Sequence, residues 1–385
     1  MPVKVKKRHL LDFSILIPYL ILCIVGLMMV YSTTSYELLE NNINPAKQAV
    51  LQFFFWVISL LLMAAIYRMK TTVLRNQRLS ALVLACLTPL MFIVFAFPRV
   101  NGSFGWINIG IGTLQPAEFL KFVTIWFLAS RIANRQPIIQ HFESRVIYHT
   151  YHLVWPLFSI FVLALYPDYG NMMVLLLVVV MMLLGSGLNY LYALCAAGFM
   201  LVGSFIAIWL VPLLSGLLPS HVVNRFLIYR DPFSDEYGLG HQAVQGYYAM
   251  FNGGLFGRGL GNSIQKKGFL SEAQTDYAFA ILVEELGLIV AILLLALLLY
   301  MIARIFLIGI RSSNPFNSLM CIGIGSLFLI SIFINLGGIT GVIPLTGITF
   351  PFVSQGGSSL LMFSVCIGFV LNISADEKKK RLQLI

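Results

Sequence analysis

Residues 277–309, YAFAILVEELGLIVAILLLALLLYMIARIFLIG, form an apolar run whose charged residues are Glu284, Glu285 and Arg304. A helix that crosses a lipid bilayer needs about 20 apolar residues, and this run exceeds that length. The whole chain has the same character, because 59 % of its 385 residues are hydrophobic and 10 % are charged. Soluble domains carry roughly 25 % charged residues. The composition therefore predicts a polytopic membrane protein.

Comparable apolar runs recur along the chain. We predict membrane spans at about residues 12–31, 47–66, 78–97, 114–133, 152–167, 171–188, 190–211, 277–309, 317–340 and 355–373. These runs predict an all-α integral membrane protein with about ten transmembrane helices, built as one polytopic domain over residues 1–385. Only residues 167–170 separate the fifth and sixth runs, which predicts a tight turn at one membrane face.

Basic residues decide the predicted orientation. They flank the spans at alternate connections and therefore share one face: Lys4, Lys6, Lys7, Arg8, Arg68, Lys70, Arg75, Arg78, Arg131, Arg135, Arg145, Arg304, Arg311, Lys378, Lys379, Lys380 and Arg381. Because cytoplasmic loops carry an excess of Lys and Arg, we expect both termini in the cytoplasm and a large extracellular loop, residues 212–276, between helices 7 and 8. The net charge of +10 is spread over these connections, so we expect no nucleic-acid partner.

The 212–276 loop is the segment most suggestive of chemistry. It is dense in charge and glycine and lies next to lipid, which predicts a site acting on a membrane-bound substrate. Arg258 and Lys266 are candidate anion ligands, and Asp276 closes the loop. Partial burial would raise the pKa of Asp276 above its ordinary value of about 3.9. Two alternatives stand beside these roles: Asp276 as the N-cap of the next helix, and Arg258 as a solvated surface charge.

Ionisable residues also fall inside the predicted spans. Glu118 and Lys121 are three residues apart and share a helix face, so they can pair. Intramembrane charges usually face a cavity and mark function, although Glu118 would also suit the helix dipole in a first turn. Glu284 and Glu285 point in roughly opposite directions on their helix. We expect one to face a cavity and the other to bond a neighbouring helix.

The last outer segment, residues 337–359, mixes glycine, proline and hydroxyl residues with apolar ones and contains Gln355 and Ser358. Irregular backbone at membrane depth is tolerated only where protein buries it or where it lines a wet cavity. The segment therefore predicts a re-entrant loop or cavity wall, with a flexible connector as the alternative. The histidines and cysteines show no zinc-type spacing, so we expect no metal ligands among them.

Seven strings of the sequence together resemble the SEDS family, the shape, elongation, division and sporulation proteins. They are residues 101–106 (NGSFGW), 115–121 (QPAEFLK), 167–171 (PDYGN), 253–266 (GGLFGRGLGNSIQK), 275–277 (TDY), 284–287 (EELG) and 350–359 (FPFVSQGGSS). The strings occur in family order over about residues 10–375, and their joint occurrence is specific. Residues 262–266 resemble the division branch more than the elongation branch. The chain departs from the family pattern at Ser271 and Gln274, where many members have proline and histidine.

The resemblance implies a peptidoglycan glycosyltransferase that polymerises lipid II into glycan strands at the division septum and releases undecaprenyl diphosphate. It assigns the catalytic base to Asp276. The departing diphosphate needs positive charge, for which Lys121, Arg258 and Lys266 are the candidates. We expect Glu118, Glu284, Gln355 and Ser358 to support the cavity. The sequence identifies no definite cofactor, and a divalent cation, Mg²⁺ or Mn²⁺, is the candidate that could help neutralise the diphosphate.

The resemblance also implies partners and a location. The partners are a class B penicillin-binding protein, which is the septal transpeptidase, together with other divisome proteins in the cell membrane. Two other functions stay open. A lipid II flippase would use the intramembrane charges as a pathway, and a divisome scaffold would not need Asp276. Without the resemblance, the residues predict only a polytopic membrane protein with an outward-facing site that favours anions.

Overall fold

The computed structural model describes residues 10–99, 103–110, 112–136, 153–187, 190–214, 216 and 220–384. The helices run α1 Phe13–Glu40, α2 Lys47–Arg68, α3 Thr71–Leu74, α4 Gln77–Ile93, α5 Pro116–Ala133, α6 Val154–Leu165, α7 Tyr169–Leu184, α8 Tyr190–Leu213, α9 Ser220–Arg230, α10 His241–Gly253, α11 Ala278–Ile310, α12 Pro315–Ile339 and α13 Gly357–Leu384. Short 3-10 turns cover Val94–Ala96 and Pro232–Asp235. An antiparallel hairpin pairs β1, Ile107–Asn108, with β2, Thr113–Leu114.

The predicted all-α architecture is confirmed, with the small hairpin as an addition. Within the described ranges, six helices are long and apolar enough to cross a membrane: α1, α2, α4 with its 3-10 extension, α11, α12 and α13. The helices α6 and α7 are apolar but shorter. The helix α5 carries Glu118, Lys121 and Arg131 and yet is buried along most of its length. The total of about ten crossings and the single domain stay predictions.

Two helices continue well past their predicted ends. The helix α1 reaches Glu40 instead of residue 31. Its hydroxyl residues interrupt the apolar pattern without ending the helix, because Thr33 and Thr34 donate to the carbonyls of Met29 and Val30 four residues earlier, at 2.8 and 2.7 Å. The helix α13 likewise continues through its basic C-terminal turns to Leu384.

The segment 212–276 is more regular than a polar loop. It contains α9 and α10, and α10 packs along the start of α11 with Val244 and Ala249 fully buried. The ring of Tyr277 lies against Gly246, where an added Cβ would come within 2.3 Å of it. The segment predicted as a large loop thus contains two helices, and an apolar face of α10 is covered by α11.

The helices α12 and α13 form the centre of the bundle. Their spanning windows are 72 % and 89 % buried, against 17 % for α2. The bundle has two chemically different ends. At one end, which we call the basic end, Arg304 contacts Asp12 at 3.0 Å and Arg75 contacts Asp376 at 2.7 Å. The start of α1 and the last turns of α13 therefore lie together, at the end of the bundle opposite Asp276.

The helix α11 is broken at Gly287, whose φ of 84° lies in the left-handed region. The carbonyls of Glu284 and Glu285 accept from the backbone N–H groups of Arg258 and Gly259, each at 2.9 Å. On the other side of the break, Leu288 N–H donates to the Gly254 carbonyl at 2.9 Å. Residues 254–259 thus pair like a strand with the opened helix, which satisfies the backbone groups that the break exposes.

Candidate active site

A cavity of about 210 Å³ lies at the end of the bundle opposite the basic end. Its walls come from the hairpin region, the starts of α5 and α7, the helix α9, the end of the 212–276 segment and the residues before α13. Four carboxylates and one arginine line it: Glu118, Asp168, Glu272, Asp276 and Arg225. Gln355, Ser358 and Trp106 line it as well, so the predicted cavity wall in residues 337–359 is formed in the structure.

The backbone on both sides of Asp276 is tied to this wall. The amide of Asn335 donates to the carbonyls of Asp276 and Ile348, at 2.8 and 2.7 Å. The N–H of Gln355 donates to the Gln274 carbonyl at 2.8 Å. The helix α11 takes Tyr277 as its N-cap, with no side-chain cap bond. The alternative role of Asp276 as an N-cap is therefore wrong, and its carboxylate is free to face the cavity.

The surroundings of Asp276 change its acidity. Burial raises the pKa of its carboxyl to about 7, with a further rise from the negative charge of Glu272. The charge of Arg225 and a hydrogen bond from Thr275 act in the opposite direction. The expected direction of the pKa shift is thus confirmed. A carboxylate with a pKa near the working pH is well matched to accepting a proton.

Arg225, on α9, is the cation beside Asp276. Its guanidinium donates to the Thr346 carbonyl at 3.4 Å. A Cβ added at Gly347 would lie 3.4 Å from Asp276 Oδ2 and 3.8 Å from an Nη of Arg225, so both side chains approach this glycine. A second cavity of about 250 Å³ shares Arg225, Glu272 and Asp276 with the first. Asp276 therefore stands on a wall between two cavities.

A buried polar chain backs the first cavity. The ammonium of Lys121 contacts Glu118 at 2.7 Å and Asn171 Oδ1 at 2.8 Å, and the Asn171 amide donates to Asp168 at 2.9 Å. The predicted pairing of Glu118 with Lys121 is thus present. Glu118 Oε2 has no hydrogen-bond partner, and neither do Thr346 Oγ1 and Gln355 Oε1 on the same cavity. Buried polar atoms without partners are costly unless a ligand satisfies them.

Ser358 joins the hairpin to the start of α13. Its hydroxyl accepts from the Gln115 N–H at 3.1 Å and donates to the Thr113 carbonyl at 3.2 Å. The cavity rim is therefore held by hydrogen bonds between elements that are far apart in sequence. Gln355 and Ser358 both line the Asp276 cavity, and their supporting role stays a prediction.

Three predicted site residues lie elsewhere. Arg258 is exposed and does not line the Asp276 cavity. Lys266 is buried, and its ammonium contacts Glu285 and Ser32, each at 2.7 Å. Glu284 is buried too, and it accepts from Ser263 Oγ at 2.5 Å and from the Ile264 N–H at 3.0 Å. The expectation that Glu284 would face the cavity was wrong, because the residues after the glycine motif cover its carboxylate.

The family model described as cell cycle protein, which joins FtsW, RodA and SpoVE, matches residues 13–379. The chain belongs to this family. It is 42 % identical to the probable peptidoglycan glycosyltransferase FtsW of Lactococcus lactis subsp. lactis strain IL1403, over 98 % of this chain and 95 % of that protein. It is 33 % identical to the protein of the same name in Bacillus subtilis strain 168, over 96 % of this chain and 93 % of that protein. The resemblance to the SEDS family and its division branch is therefore confirmed.

Solved structures share the fold. A chain from a peptidoglycan synthase complex, described as coordinating polymerization and crosslinking, superposes with a TM-score of 0.72 at 24 % identity, over 95 % of this chain and 98 % of that chain. The rod shape determining protein RodA of Thermus thermophilus gives a TM-score of 0.66 at 20 % identity, over 95 % of this chain and 97 % of that chain. With its apolar helices, this member of the family is a multi-pass membrane protein.

Within the family fold, the structure brings together Asp276, Glu118, Gln355 and Ser358, with Lys121 directly behind Glu118. Arg225 was not among the predicted site residues, although it lies in the charged segment 212–276. Its positive charge was visible in the sequence, but no motif or spacing distinguished Arg225 from the other charged residues of the segment. Among the described residues, no group of three His, Cys, Asp or Glu side chains is arranged to hold a metal ion.

Proposed function

We propose that this protein is a peptidoglycan glycosyltransferase of cell division that polymerises lipid II into glycan strands and releases undecaprenyl diphosphate. The similar proteins bearing that enzyme name cover nearly the whole chain. The observation that carries the proposal is the position of Asp276, a carboxylate whose pKa is raised to about 7, on the wall between two polar cavities. Two sugar-bearing substrates must meet at one base, and this arrangement offers a cavity for each.

The proposed reaction is one displacement at an anomeric carbon. A sugar hydroxyl oxygen of one substrate forms a bond to the anomeric carbon of the other. The bond from that carbon to the diphosphate oxygen breaks, and its electron pair leaves with undecaprenyl diphosphate. Asp276 accepts the hydroxyl proton as general base, a role that a carboxylate near neutrality can perform. The protein's two contributions are the position of the base and charge near the leaving group.

Arg225 is the best-placed group for the leaving diphosphate. It lines both cavities beside Asp276, and a guanidinium can hold phosphate oxygens through two parallel hydrogen bonds. Lys121 is already neutralised by Glu118 and would act more weakly and at longer range. Arg258 and Lys266 lie away from these cavities, so we assign the diphosphate contact to Arg225 in their place. The free oxygens of Glu118 and Gln355 remain for the sugars or peptide.

We also propose a supporting role for a divalent cation. The cavity is lined by four carboxylates, whose oxygens are the ligands that Mg²⁺ and Mn²⁺ prefer, but among the described residues no three of them are grouped to hold a metal ion. Mg²⁺ is commonly held by one or two carboxylates together with substrate phosphates. Glu272 lines both cavities together with Arg225 and would be the carboxylate that holds the cation, which leaves Asp276 free to accept the proton. A bound cation would lower the charge on that leaving group.

The partner and location follow from the proposed reaction. A glycan strand must be crosslinked after polymerisation, and the similar solved structure is described as coordinating both steps. We infer that a class B penicillin-binding protein binds this chain in the membrane at the division septum, with other divisome proteins. A flippase is less well supported, because the buried charges Glu118, Glu284 and Glu285 are engaged with Lys121, Ser263 and Lys266 and leave little charge to line a path.

The test is glycan polymerisation from purified lipid II by the protein co-purified with its penicillin-binding partner. Wild type, Asp276→Asn and the exposed control Glu37→Gln are compared at equal thermal stability, each with Mg²⁺ or with EDTA. We expect long glycan from wild type and Glu37→Gln, none from Asp276→Asn, and less with EDTA. Equal product from Asp276→Asn and wild type would contradict the base assignment. Absence of product from every variant, with the partner bound, would favour the flippase or scaffold functions.

A further inference from the structure

A small cleft opens at the basic end of the molecule, far from Asp276. It lies between the last turns of α11 and the end of α13 and has a volume of about 80 Å³. Four basic residues line it: Arg304, Arg311, Lys378 and Arg381. The one acidic residue among its lining residues is Glu377. The proposed glycosyltransferase reaction makes no use of this cleft.

The nearby acids are already occupied. Asp12 contacts Arg304 at 3.0 Å and Lys378 at 3.2 Å, and it accepts from Ser374 at 2.8 Å. Glu377 accepts from Asn317 Nδ2 at 2.6 Å and from Ser312 Oγ at 2.7 Å. Arg311 and Arg381 are exposed and form no ion pair with another described residue. The cleft therefore has two guanidinium groups, those of Arg311 and Arg381, that are not neutralised by Asp12 or Glu377.

The surface next to the cleft is apolar. Leu307 lines the cleft and is 41 % exposed, and Ile310 beside it is 71 % exposed. Both lie near the end of α11, which is long and apolar enough to cross the membrane, so we expect these exposed side chains to contact lipid near the membrane boundary. A water-soluble anion would gain no binding energy from this apolar surface. A lipid could place its phosphate in the cleft and its acyl chains along α11.

We propose that this cleft binds the phosphate headgroup of an anionic phospholipid, such as phosphatidylglycerol, in the leaflet at the basic end. Basic pockets between transmembrane helices are suited to such headgroups, and guanidinium groups bind phosphate oxygens through paired hydrogen bonds. Arg311 and Arg381 supply the charge, while Arg304 and Lys378 stay tied to Asp12. The lipid would join α11 to α13 at the end opposite the active site.

The experiment measures lipid retained by the purified protein in native mass spectrometry. Full-length protein is equilibrated in micelles with equal amounts of phosphatidylglycerol and phosphatidylcholine. The test variant is Arg311→Gln with Arg381→Gln. The matched control is Lys70→Gln with Arg78→Gln, which removes the same charge from exposed residues at the same end but outside the cleft. Thermal unfolding in lipid-free detergent confirms that both variants are folded. A parallel arm adds inorganic phosphate as competitor.

We expect wild type and the control to retain phosphatidylglycerol in preference to phosphatidylcholine. The test variant should bind phosphatidylglycerol roughly 10- to 30-fold more weakly, since each basic residue near an anionic headgroup contributes a factor of about three to five. Inorganic phosphate should displace little lipid, because it lacks the acyl chains. Equal loss in the test and control variants would overturn the proposal, as would equal retention of the two lipids by wild type. Displacement of the lipid by dilute inorganic phosphate would assign the cleft to free phosphate and also overturn it.

Discussion

As the proposed base, Asp276 must be deprotonated to accept a proton, so we expect its raised pKa to control activity near neutral pH. Its folded-state pKa is about 7, above the ordinary value of 3.8, because burial and Glu272 disfavour the charged form. The active fraction therefore rises as pH rises through about 7. We expect the rate of lipid II polymerisation to increase between pH 6 and pH 8, on the order of tenfold at most for one titrating base.

Charged neighbours should move this midpoint in opposite directions. Glu272→Gln removes a negative charge and should lower the pH at half-maximal activity, while Arg225→Gln removes a positive charge and should raise it. Polymerisation rates measured from pH 5.5 to pH 9 give the midpoints. Lys267→Gln, an exposed change in the same segment, serves as control and should leave the midpoint in place. Shifts of the same sign for both test variants would rule out Asp276 as the titrating base.

The buried pair Glu118 and Lys121 offers a second prediction. Lys121→Ala leaves a buried carboxylate without its cation, and breaking such a pair costs about 3–5 kcal/mol of unfolding free energy. We expect the double variant Glu118→Gln with Lys121→Met to regain most of the lost thermal stability in detergent, because no charge is left unpaired. Polymerisation should stay low in both variants, because Lys121→Ala removes the cation that positions Glu118 and the double variant removes the charge of Glu118 from the cavity. A double variant as unstable as Lys121→Ala would show that packing, and not charge, dominates here.

Residue roles were predictable from sequence only where the partners are close along the chain. Glu118 and Lys121 are three residues apart, and their pairing follows from helix geometry. Lys266 instead finds Glu285 and Ser32, the second of them 234 residues away, so its charge is used inside the protein. A lysine in a glycine-rich segment looks the same in sequence whether it binds a ligand or an internal carboxylate.

At the scale of elements, the glycine motif at 253–259 works by close backbone contact. Gly257 has a φ of +78°, and a Cβ there would lie 2.3 Å from the Glu285 carbonyl oxygen and 2.5 Å from the Gly287 nitrogen. Gly261 has a similar φ of +84° but open space around it. Gly257→Ala and Gly261→Ala therefore share the backbone strain, and only Gly257→Ala adds a clash.

We expect Gly261→Ala to lower the unfolding free energy by about 1–2 kcal/mol, the cost of left-handed backbone for a residue with Cβ. Gly257→Ala should cost at least ~2 kcal/mol more, because the strand-like pairing with the opened helix cannot form. Thermal unfolding of the purified proteins in one detergent measures the difference. Equal losses would mean that residues 254–259 can move away from α11 without penalty, in contradiction to the paired geometry.

The lengths of the apolar runs predicted most of the helices. The features that these lengths did not predict depend on contacts between residues far apart in the sequence. The run at 277–309 corresponds closely to α11, Ala278–Ile310. Its break at Gly287 was invisible in the sequence, because the exposed backbone groups find partners in residues 254–259, about 30 residues earlier. The helix α10 was not predicted for a similar reason. Its apolar residues Val244 and Ala249 are buried by contact with α11, and that contact cannot be read from the segment alone.

At the scale of the whole molecule, charge separates the two ends of the bundle. The basic residues around Asp12, Arg75 and Arg304 share one end, and the Asp276 cavity lies at the other. The positive-inside rule assigns the basic end to the cytoplasm. Substrate presented outside the cell would then reach Asp276 directly. This orientation in the membrane is a prediction. It can be tested by measuring which end of one helix is accessible from outside the cell.

Lys47 and Lys70 are exposed and lie at opposite ends of α2, which spans Lys47–Arg68. We expect Lys47→Cys to react with a membrane-impermeant maleimide in intact cells, and Lys70→Cys to react only after permeabilisation. The exposed Cys86 and Cys195 are first replaced by serine, so that labelling reports the introduced thiol. Both variants must label equally in detergent. The reverse pattern would place the Asp276 cavity in the cytoplasm, where it could not build a wall outside the membrane, and would exclude the proposed polymerase as well as the orientation.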